Sequence, residues 1–471
     1  MKKLNLDYSL LSKKTNIKNM GAEALKKVAD ATAAMPNTTP QEAVNMKSNI
    51  DIEINDEFKQ AYDLIDKSGN CVFITGSAGS GKTTFLRYYT MRASKKTVIL
   101  APTGVAALNC GGETVHSFFY FKPDITVSKI KKKKLSEKSI YKKVETIIID
   151  EASMLRCDIL DCIDKFLRLN REKRQEPFGG VQMVFIGDLK QLPPVVKREE
   201  YHIFNSVYKS PYFLSAYSLN KCILHTVELK KIYRQRDSNF VALLNAVRDG
   251  TANDDEIAEL NKKVSSQIFN RPMTVYLTTT NKKAAFINHK YLSEIEYKQV
   301  VFTAETKNIE ENSKVFPAEY ELVIKKNAQV MMLNNDAKNR WVNGSIGIVE
   351  NIKSGSDFGK LSICIRFPNG RVENVEPYKW ELFKYGWNEE KKQIETYRAG
   401  FFKQYPLRLS WAITIHKSQG KTFDNVIIDM EYGAFAPGQL YVALSRCTSF
   451  DGITLSRPLT KRDILAPAVW D

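Results

Sequence analysis

Short apolar runs separated by polar, helix-length stretches organise most of the chain. Residues 72–75, 97–101, 146–150 and 181–186 are runs rich in Val, Ile and Thr, too short for helices and bounded by turn residues. Such runs predict strands buried on both faces of a parallel sheet. Upstream, Phe58, Ala61, Tyr62, Leu64 and Ile65 fall on one helical face, which predicts an amphipathic helix packed against that sheet. Between about residues 298 and 404 the pattern changes. Residues 322–324, 329–333, 345–349, 361–367 and 372–375 read as short strands, joined by turn signals such as Asn343-Gly344 and Asn369-Gly370. That spacing predicts a small β-barrel inserted into a second α/β unit, whose strands resume at 408–415, 426–429 and 452–455. Residues 1–50 carry no strand pattern. Residues 22–35 fit one helix, ended by Pro36-Asn37-Thr38-Thr39-Pro40, and the arm reads as either mobile or a docking segment.

Composition narrows the class. A chain of 471 residues exceeds one ordinary core, so two to four domains are expected. The excess of 70 basic over 53 acidic residues gives a net charge of +17, which points to a polyanionic partner, nucleic acid first. No apolar run is long enough to span a bilayer, no early segment resembles a signal peptide, and the arginine-free arm argues against a mitochondrial transit peptide. The seven cysteines form no C-x-x-C pair, which predicts unreactive thiols in a reducing cytosol rather than a zinc site or disulfides.

The candidate chemistry begins at Gly76–Thr83, which satisfies G-x-x-x-x-G-K-[ST] between a predicted strand and a predicted helix. Gly76, Gly79 and Gly81 allow the tight turn, and the backbone N–H groups of Gly76, Ser77, Ala78, Gly79, Ser80, Gly81 and Thr84 would cradle phosphates at a helix N-terminus. Lys82 would reach the β- and γ-phosphates and Thr83 would give its hydroxyl to Mg²⁺. The third strand ends in Asp150-Glu151: Asp150 would hold the magnesium through waters, and Glu151 would orient and deprotonate the attacking water. The fourth strand runs into Gly187–Pro194, where Gln191 would hydrogen-bond the γ-phosphate. The second strand ends in Pro102-Thr103 and is followed by His116 and Phe118-Phe119. These types suit backbone phosphates and stacked bases, although the two phenylalanines serve a core equally well.

In order, GSAGSGKT, APTGVAAL with GGETVHSFF, IIIDEASM, GDLKQLPP, YRQ, WAITIHKSQGKTF and YVALSRC resemble the motif series of superfamily 1B DNA helicases, specifically the Pif1 family. CIDKFLRLNREKRQEPFGGVQ resembles that family's signature stretch, and the likeness covers roughly residues 51–457.

The resemblance implies an α/β protein of two RecA-like motor domains that uses ATP and Mg²⁺. By the same resemblance such a protein would unwind DNA in repair, recombination or other genome maintenance, moving 5′ to 3′ on single-stranded DNA. It divides the chain into an arm (1–50), a first motor domain (51–220), a second motor domain in two parts (221–297 and 405–471) and an SH3-like insert (298–404). No appended domain is expected after the last motif. The lysine-rich segment Lys129–Lys143, within an insert at about 120–143, corresponds to the family's duplex-splitting wedge. Arg234 and Arg446 become arginine fingers, and Gly420 lets the backbone approach nucleotide. Together with Pro102, Thr103, His116 and Phe118, the resemblance places Asn343, His416, Lys417 and Ser418 on the strand. Gln60 stands about one residue from the family's adenine-reading glutamine, and a solvated helix position explains it as well. The expected partners are single-stranded DNA and tailed or structured duplexes, with no membrane. The protein would act as a monomer, with a dimer allowed on DNA. Two rivals remain open, an RNA helicase of the same branch and a nucleic-acid-binding module switched by ATP.

Overall fold

The computed structural model describes residues 54–467 apart from 135, 138, 197–198, 236, 266–272, 309–315, 355–360 and 389, so the expected N-terminal arm lies outside the described residues. The first half is built on six parallel strands: β1 (Cys71–Thr75), β2 (Thr97–Ala101), β3 (Glu113–Thr114), β4 (Thr146–Ile149), β5 (Gln182–Ile186) and β6 (Leu224–Glu228). Their order across the sheet is β3-β2-β4-β5-β1-β6. Both faces are covered, which is why the strands read as continuous apolar runs. Val72, Ile74, Ile148 and Val184 pack with Phe58, Ile65 and Phe85 of the helices Asp56–Lys67 and Lys82–Thr90. The alternate residues Phe73, Ile147, Ile149 and Phe185 pack with Leu160, Ile163 and Phe166 of the helix Cys157–Asn170. The amphipathic face expected at Phe58 is real, and Asn55 caps its helix by accepting a 2.9 Å bond from the Phe58 N–H.

The order matters for chemistry. β5 lies between β1 and β4 in register (Val72 and Ile148 both pair with Val184), so the loops leaving these three strands emerge side by side at one edge. Ligand contacts in parallel sheets gather at such edges.

The stretch after the Cys157–Asn170 helix ties this half together. Asp164 accepts a 2.7 Å bond from the Phe178 N–H, and Gly179 adopts φ +60°, where a Cβ would sit 2.8 Å from the Leu167 carbonyl. The Arg171 guanidinium donates to the carbonyls of Gly179 (2.7 Å), Tyr141 (2.6 Å) and Val144 (3.0 Å). The segment resembling the family signature is thus a structural clasp at the entrance to β4.

The basic segment corresponding to the wedge lies against the same helix. Ile130 and Tyr141 are buried, the Lys133 N–H donates to Asn170 Oδ1 (2.8 Å), and Lys132 pairs with Glu172 (2.6 Å). Lys131 and Lys134 remain exposed.

The second half opens with β7 (Val275–Thr278) and then leaves its sheet. Strands β8 (Val300–Thr303), β9 (Glu305–Lys307), β10 (Glu321–Ile324), β11 (Gln329–Met332), β12 (Ile346–Ser354), β13 (Leu361–Arg366), β14 (Val372–Val375), β15 (Tyr378–Asn388), β16 (Gln393–Gln404) and β17 (Leu407–Leu409) follow. The chain returns as β18 (Ala412–Thr414), β19 (Val426–Asp429) and β20 (Ile453–Leu455), giving a parallel sheet of order β18-β7-β19-β20. The excursion forms an antiparallel sheet β14-β13-β12-β11-β17, the pair β10-β8 and the group β15-β16-β9.

Three expectations need correcting. The boundary expected at 220 falls too early, because β6 (Leu224–Glu228) pairs with β1 and completes the first sheet. Residues 408–415 are not one strand of the second parallel sheet. β17 pairs with β11 in the insert, and the chain changes sheets at the fully buried Ser410. Its N–H donates to the Gln329 carbonyl (3.1 Å), and its own carbonyl accepts from Gln329 Nε2 (2.9 Å). The insert's largest feature, the β15–β16 hairpin, was not among the strands expected. It reaches the first half, where the Ile99 N–H donates to the Tyr385 hydroxyl (3.2 Å) and Lys96 and Lys143 lie over the Trp387 ring.

Replacing Arg171 with Met keeps most of its bulk but strands three carbonyls, so the first half should lose on the order of 2–3 kcal/mol. Urea unfolding followed through far-ultraviolet circular dichroism measures this loss, and an unchanged midpoint would deny the clasp its role.

Candidate active site

The loop after β1 needs its glycines for geometry. Gly76, Gly79 and Gly81 have φ of +153°, +86° and +91°, and a Cβ on Gly79 would stand 2.6 Å from the Arg234 Cβ. The helix Lys82–Thr90 begins directly after Gly81, so its unpaired N–H groups face the loop's hollow. Lys82 folds back over the loop and donates to the carbonyls of Gly76 (2.7 Å) and Ser77 (2.9 Å). Burial pushes its ammonium pKa down, against the pull of Asp188, Glu151 and Asp150.

A cavity of about 460 Å³ lies over this loop. Residues 78–84 and Glu151 line it from the first half, and Arg234, Gly420 and Arg446 line it from the second. Gln191 reaches the same cavity. The structure therefore brings into one cleft most of the residues expected to serve nucleotide. Asp150 stands at the adjoining end of β4, and burial followed by the neighbouring Glu151 raises its carboxyl pKa. Glu151 is raised as well, by burial against the opposing effect of Lys82, and it holds a left-handed backbone with φ 52°. Two desolvated carboxyls beside each other, with the Thr83 hydroxyl on the cavity wall, form a hard-oxygen donor set. Among the described residues no group of three His, Cys, Asp or Glu could hold a metal unaided, so a cation here would draw further oxygens from phosphate and water.

Among the described residues no carboxylate bonds to either arginine. Arg446 is 1% exposed, and its fork donates to the Val442 carbonyl (2.9 Å), Ser445 Oγ (2.8 Å) and the Lys421 carbonyl (3.4 Å). Burial, then Arg234, push it down to about 9. Arg234 donates to the Ser445 carbonyl (3.3 Å), and burial lowers it too. Cations desolvated in this way favour an anion between them.

Sequence reasoning missed the residues that join the halves. Asp188, 1% exposed, accepts bonds from Gln191 Nε2 (3.2 Å), the Tyr441 hydroxyl (3.3 Å) and Arg248 (3.5 Å). The Tyr441 hydroxyl also accepts a 2.8 Å bond from the Ala78 N–H. Gly438 approaches so closely that a Cβ would lie 2.4 Å from the Lys190 carbonyl. The one signal available was that Asp188 and Tyr441 lie inside GDLKQLPP and YVALSRC.

Other expected residues lie elsewhere. Gln60 is exposed on its helix and does not line the cavity. Its side chain leaves the helix away from the Phe58–Ala61–Ile65 face, so the adenine-reading role is not supported by its position. Phe118 is corrected to core: it is 3% exposed, with its ring against Phe119 (4.9 Å), Tyr141 (5.3 Å) and Tyr385 (6.1 Å), which leaves no face for a base. Ser418 is likewise fully buried and donates to the Ile415 carbonyl (2.7 Å), so it holds the turn. Pro102 and Thr103 are half-buried, and Thr103 caps the helix Gly104–Cys110 by accepting from the Ala106 N–H (3.2 Å). His116 and His416 are half-buried, and burial lowers both pKa values. His416 stacks on the exposed Phe435 at 6.1 Å, and Lys417 is exposed. Asn343 is half-buried and bonds across to Asn109 of the first half (3.3 Å).

Comparison with known proteins gives a consistent answer. The profile of the PIF1-like helicase family matches residues 53–258, and that of the UvrD-like helicase C-terminal domain matches residues 409–449. The ATP-dependent DNA helicase Pif1 of Bdellovibrio bacteriovorus is 33% identical over 417 residues, covering 86% of this chain and 88% of that one. The human ATP-dependent DNA helicase PIF1 is 33% identical over 395 residues, covering 82% of this chain, which spans only 58% of the human protein. Among solved structures, Bacteroides sp Pif1 in complex with ADP-AlF4 superposes with a TM-score of 0.79 at 37% identity, over 88% of this chain and 94% of that one. Bacteroides Pif1 bound to ssDNA, and two coordinating Pif1 helicases at forked dsDNA, each give 0.63 at 38% identity, over 88% and 95%.

Two substitutions test the cleft. Glu151→Gln should retain nucleotide but lower turnover by about 10²–10⁴, the span of a lost general base. Phosphate release at the parent rate would remove Glu151 from that role. Arg446→Ala should lower the maximal rate on the order of 10³-fold with far less effect on nucleotide affinity. A variant impaired only in binding would make Arg446 a ground-state contact.

Proposed function

The chain belongs to the PIF1-like helicase family, and from that premise we propose that it is an ATP-dependent DNA helicase that moves 5′ to 3′ along single-stranded DNA and opens duplexes ahead of it. The observation that carries this reading is the single cleft joining Lys82, Glu151 and Gln191 of one parallel-sheet half to Arg234 and Arg446 of the other. A phosphate-binding loop alone serves many proteins. Arginines delivered from the half built on the second parallel sheet make hydrolysis depend on how the halves meet, which is what a motor requires.

In this reading ATP lies on the loop of residues 76–83, with Lys82 leaving its two carbonyls for the phosphates. Glu151 orients and deprotonates the attacking water, Gln191 bonds the terminal phosphate, and Arg234 and Arg446 stabilise the charge that develops on it. Thr83 and Asp150 would hold Mg²⁺, which neutralises phosphate charge when bound. The strand runs past Pro102, Thr103 and His116 on the first half and Asn343, His416 and Lys417 on the second. Residues from 51 through the end of β6 at Glu228 form the first motor domain, the chain from there to 297 together with 405–471 forms the second, and 298–404 form an SH3-like insert that shares β17 with the chain beyond it. The wedge role of residues 129–143 belongs to the exposed Lys131 and Lys134.

The net charge of +17 favours a nucleic-acid partner over a neutral one. A monomer is the working form, with a second copy able to join it on DNA. Among the described residues no helix is long and apolar enough to cross a membrane. The seven free cysteines support the cytosol as its compartment.

A strand-displacement assay with matched duplexes carrying a 5′ or a 3′ single-stranded tail tests the reading. With ATP, the 5′-tailed duplex should open and the 3′-tailed duplex should not. Efficient opening from the 3′ tail would reverse the polarity, and opening of neither would remove the helicase activity.

A further inference from the structure

Away from the nucleotide cleft, three cations cluster where β17 meets the turn after β18. Arg408, in the middle of β17, is half-buried, and among the described residues no hydrogen bond or ion pair engages its guanidinium. Among the described residues Glu319 is the carboxylate that acts on it, and Glu319 is itself exposed. Arg408 repels the ammonium groups of both Lys417 and Lys421. Lys421 is held down to about 8, by burial first and then by Arg408. Arg408 and Lys421 are like charges partly withdrawn from water beside each other, which is costly unless an anion joins them, and Lys417 stands exposed next to them.

The surroundings are prepared for a ligand of that kind. Lys421 Nζ donates to Asn343 Oδ1 (2.6 Å), and Asn343 Nδ2 donates to Asn109 Oδ1 (3.3 Å) on the helix Gly104–Cys110 of the first half. The cluster thus sits where the two halves and the insert converge, beside His416. Gly344 turns the chain beside Lys421 with φ +99°, a left-handed backbone that favours glycine.

We propose that Arg408, Lys417 and Lys421, with Asn343, form a seat for one phosphodiester group of the translocating single strand, with Arg408 as its anchor. The proposal rests on the helicase reading and adds Arg408 and Lys421 to its strand contacts. A guanidinium suits this task because its planar fork meets two phosphate oxygens at once. A phosphodiester is the ligand chosen because the seat offers cations and one amide, which recognise backbone and carry no base-edge code. A strand held here is gripped by the second half while touching Asn109 of the first, so the seat lies where motion between the halves would be passed to DNA.

The test is a fluorescence-anisotropy titration of labelled oligo-thymidine with the full chain, repeated from 50 to 200 mM salt. Arg408→Gln should weaken binding by about tenfold at the low-salt end and make the log–log salt slope shallower by about 0.7, the increment for one phosphate of a single strand. Arg408→Lys should keep the parent slope, because it keeps the charge. A structural role alone would lower the melting temperature of Arg408→Gln and leave the slope untouched, which would overturn the proposal. Should Arg408→Gln fail to fold, Lys421→Met carries the same test and the same expected slope. Parent slopes in both variants would overturn the seat and leave the helicase reading standing. A parent protein that binds no single strand would overturn both.

Discussion

The structure depends on a carboxylate that is buried in one half of the molecule and bonded from the other. Asp188 follows the end of β5, yet Tyr441 and Arg248 of the second half supply two of its bonds. A buried carboxylate without partners is strongly unfavourable, and removing one partner of such a group typically costs about 3–5 kcal/mol. The pairing therefore fixes how the two parallel sheets face each other. It also reaches the nucleotide loop directly, because the same Tyr441 hydroxyl accepts from the Ala78 N–H. Ala78 and Leu192 of the first half pack into the second half's hydrophobic core, so apolar contact and hydrogen bonding act at one seam.

Charge explains why that seam can respond to a ligand. Lys82, Arg234 and Arg446 face Asp150, Glu151 and Asp188 across a cleft that water enters poorly, and burial moves the lysine and both arginines down while it moves Asp150 and Glu151 up. Lys82, the two arginines, Asp150 and Glu151 are thus held away from their preferred states, and a bound triphosphate would change that balance. In the proposed reading Lys82 would exchange its two loop carbonyls for phosphate oxygens, and the arginines, which among the described residues form no ion pair with a carboxylate, would gain an anionic partner. Loss of the terminal phosphate reverses this. The resulting change falls on Gln191 and Asp188, which are bonded to each other and to the second half.

Much of this could be read from the chain because local chemistry determines it. A glycine loop between a strand and a helix, and an Asp-Glu pair ending an apolar strand, carry their meaning within a few residues. Asp188, Tyr441 and Arg248 could not be found that way: each is an ordinary residue until folding brings together positions 188, 248 and 441. Phe118 and Ser418 failed in the opposite sense. Their types suit DNA contact, but packing against Tyr141 and the Ile415 carbonyl uses them for structure. The run at 408–415 reads as one strand because hydropathy does not show a change of sheet, and the Gln329–Ser410 bonds that impose it span eighty residues. The β15–β16 hairpin escaped because its aromatic and charged residues alternate without a glycine turn, its outlet being Lys392 at φ 51°.

The central claim is that hydrolysis requires the two halves to meet at Asp188, and a double-mutant cycle tests it most directly. Asp188→Asn, Tyr441→Phe and the double variant would be compared in single-turnover ATP hydrolysis at saturating single-stranded DNA. Residues that act through one shared contact give interaction energies of about 0.5–3 kcal/mol, so the double variant should be little slower than the slower single variant. Losses that simply multiply would show that Asp188 and Tyr441 act separately, and the seam would then be packing without a part in the chemistry.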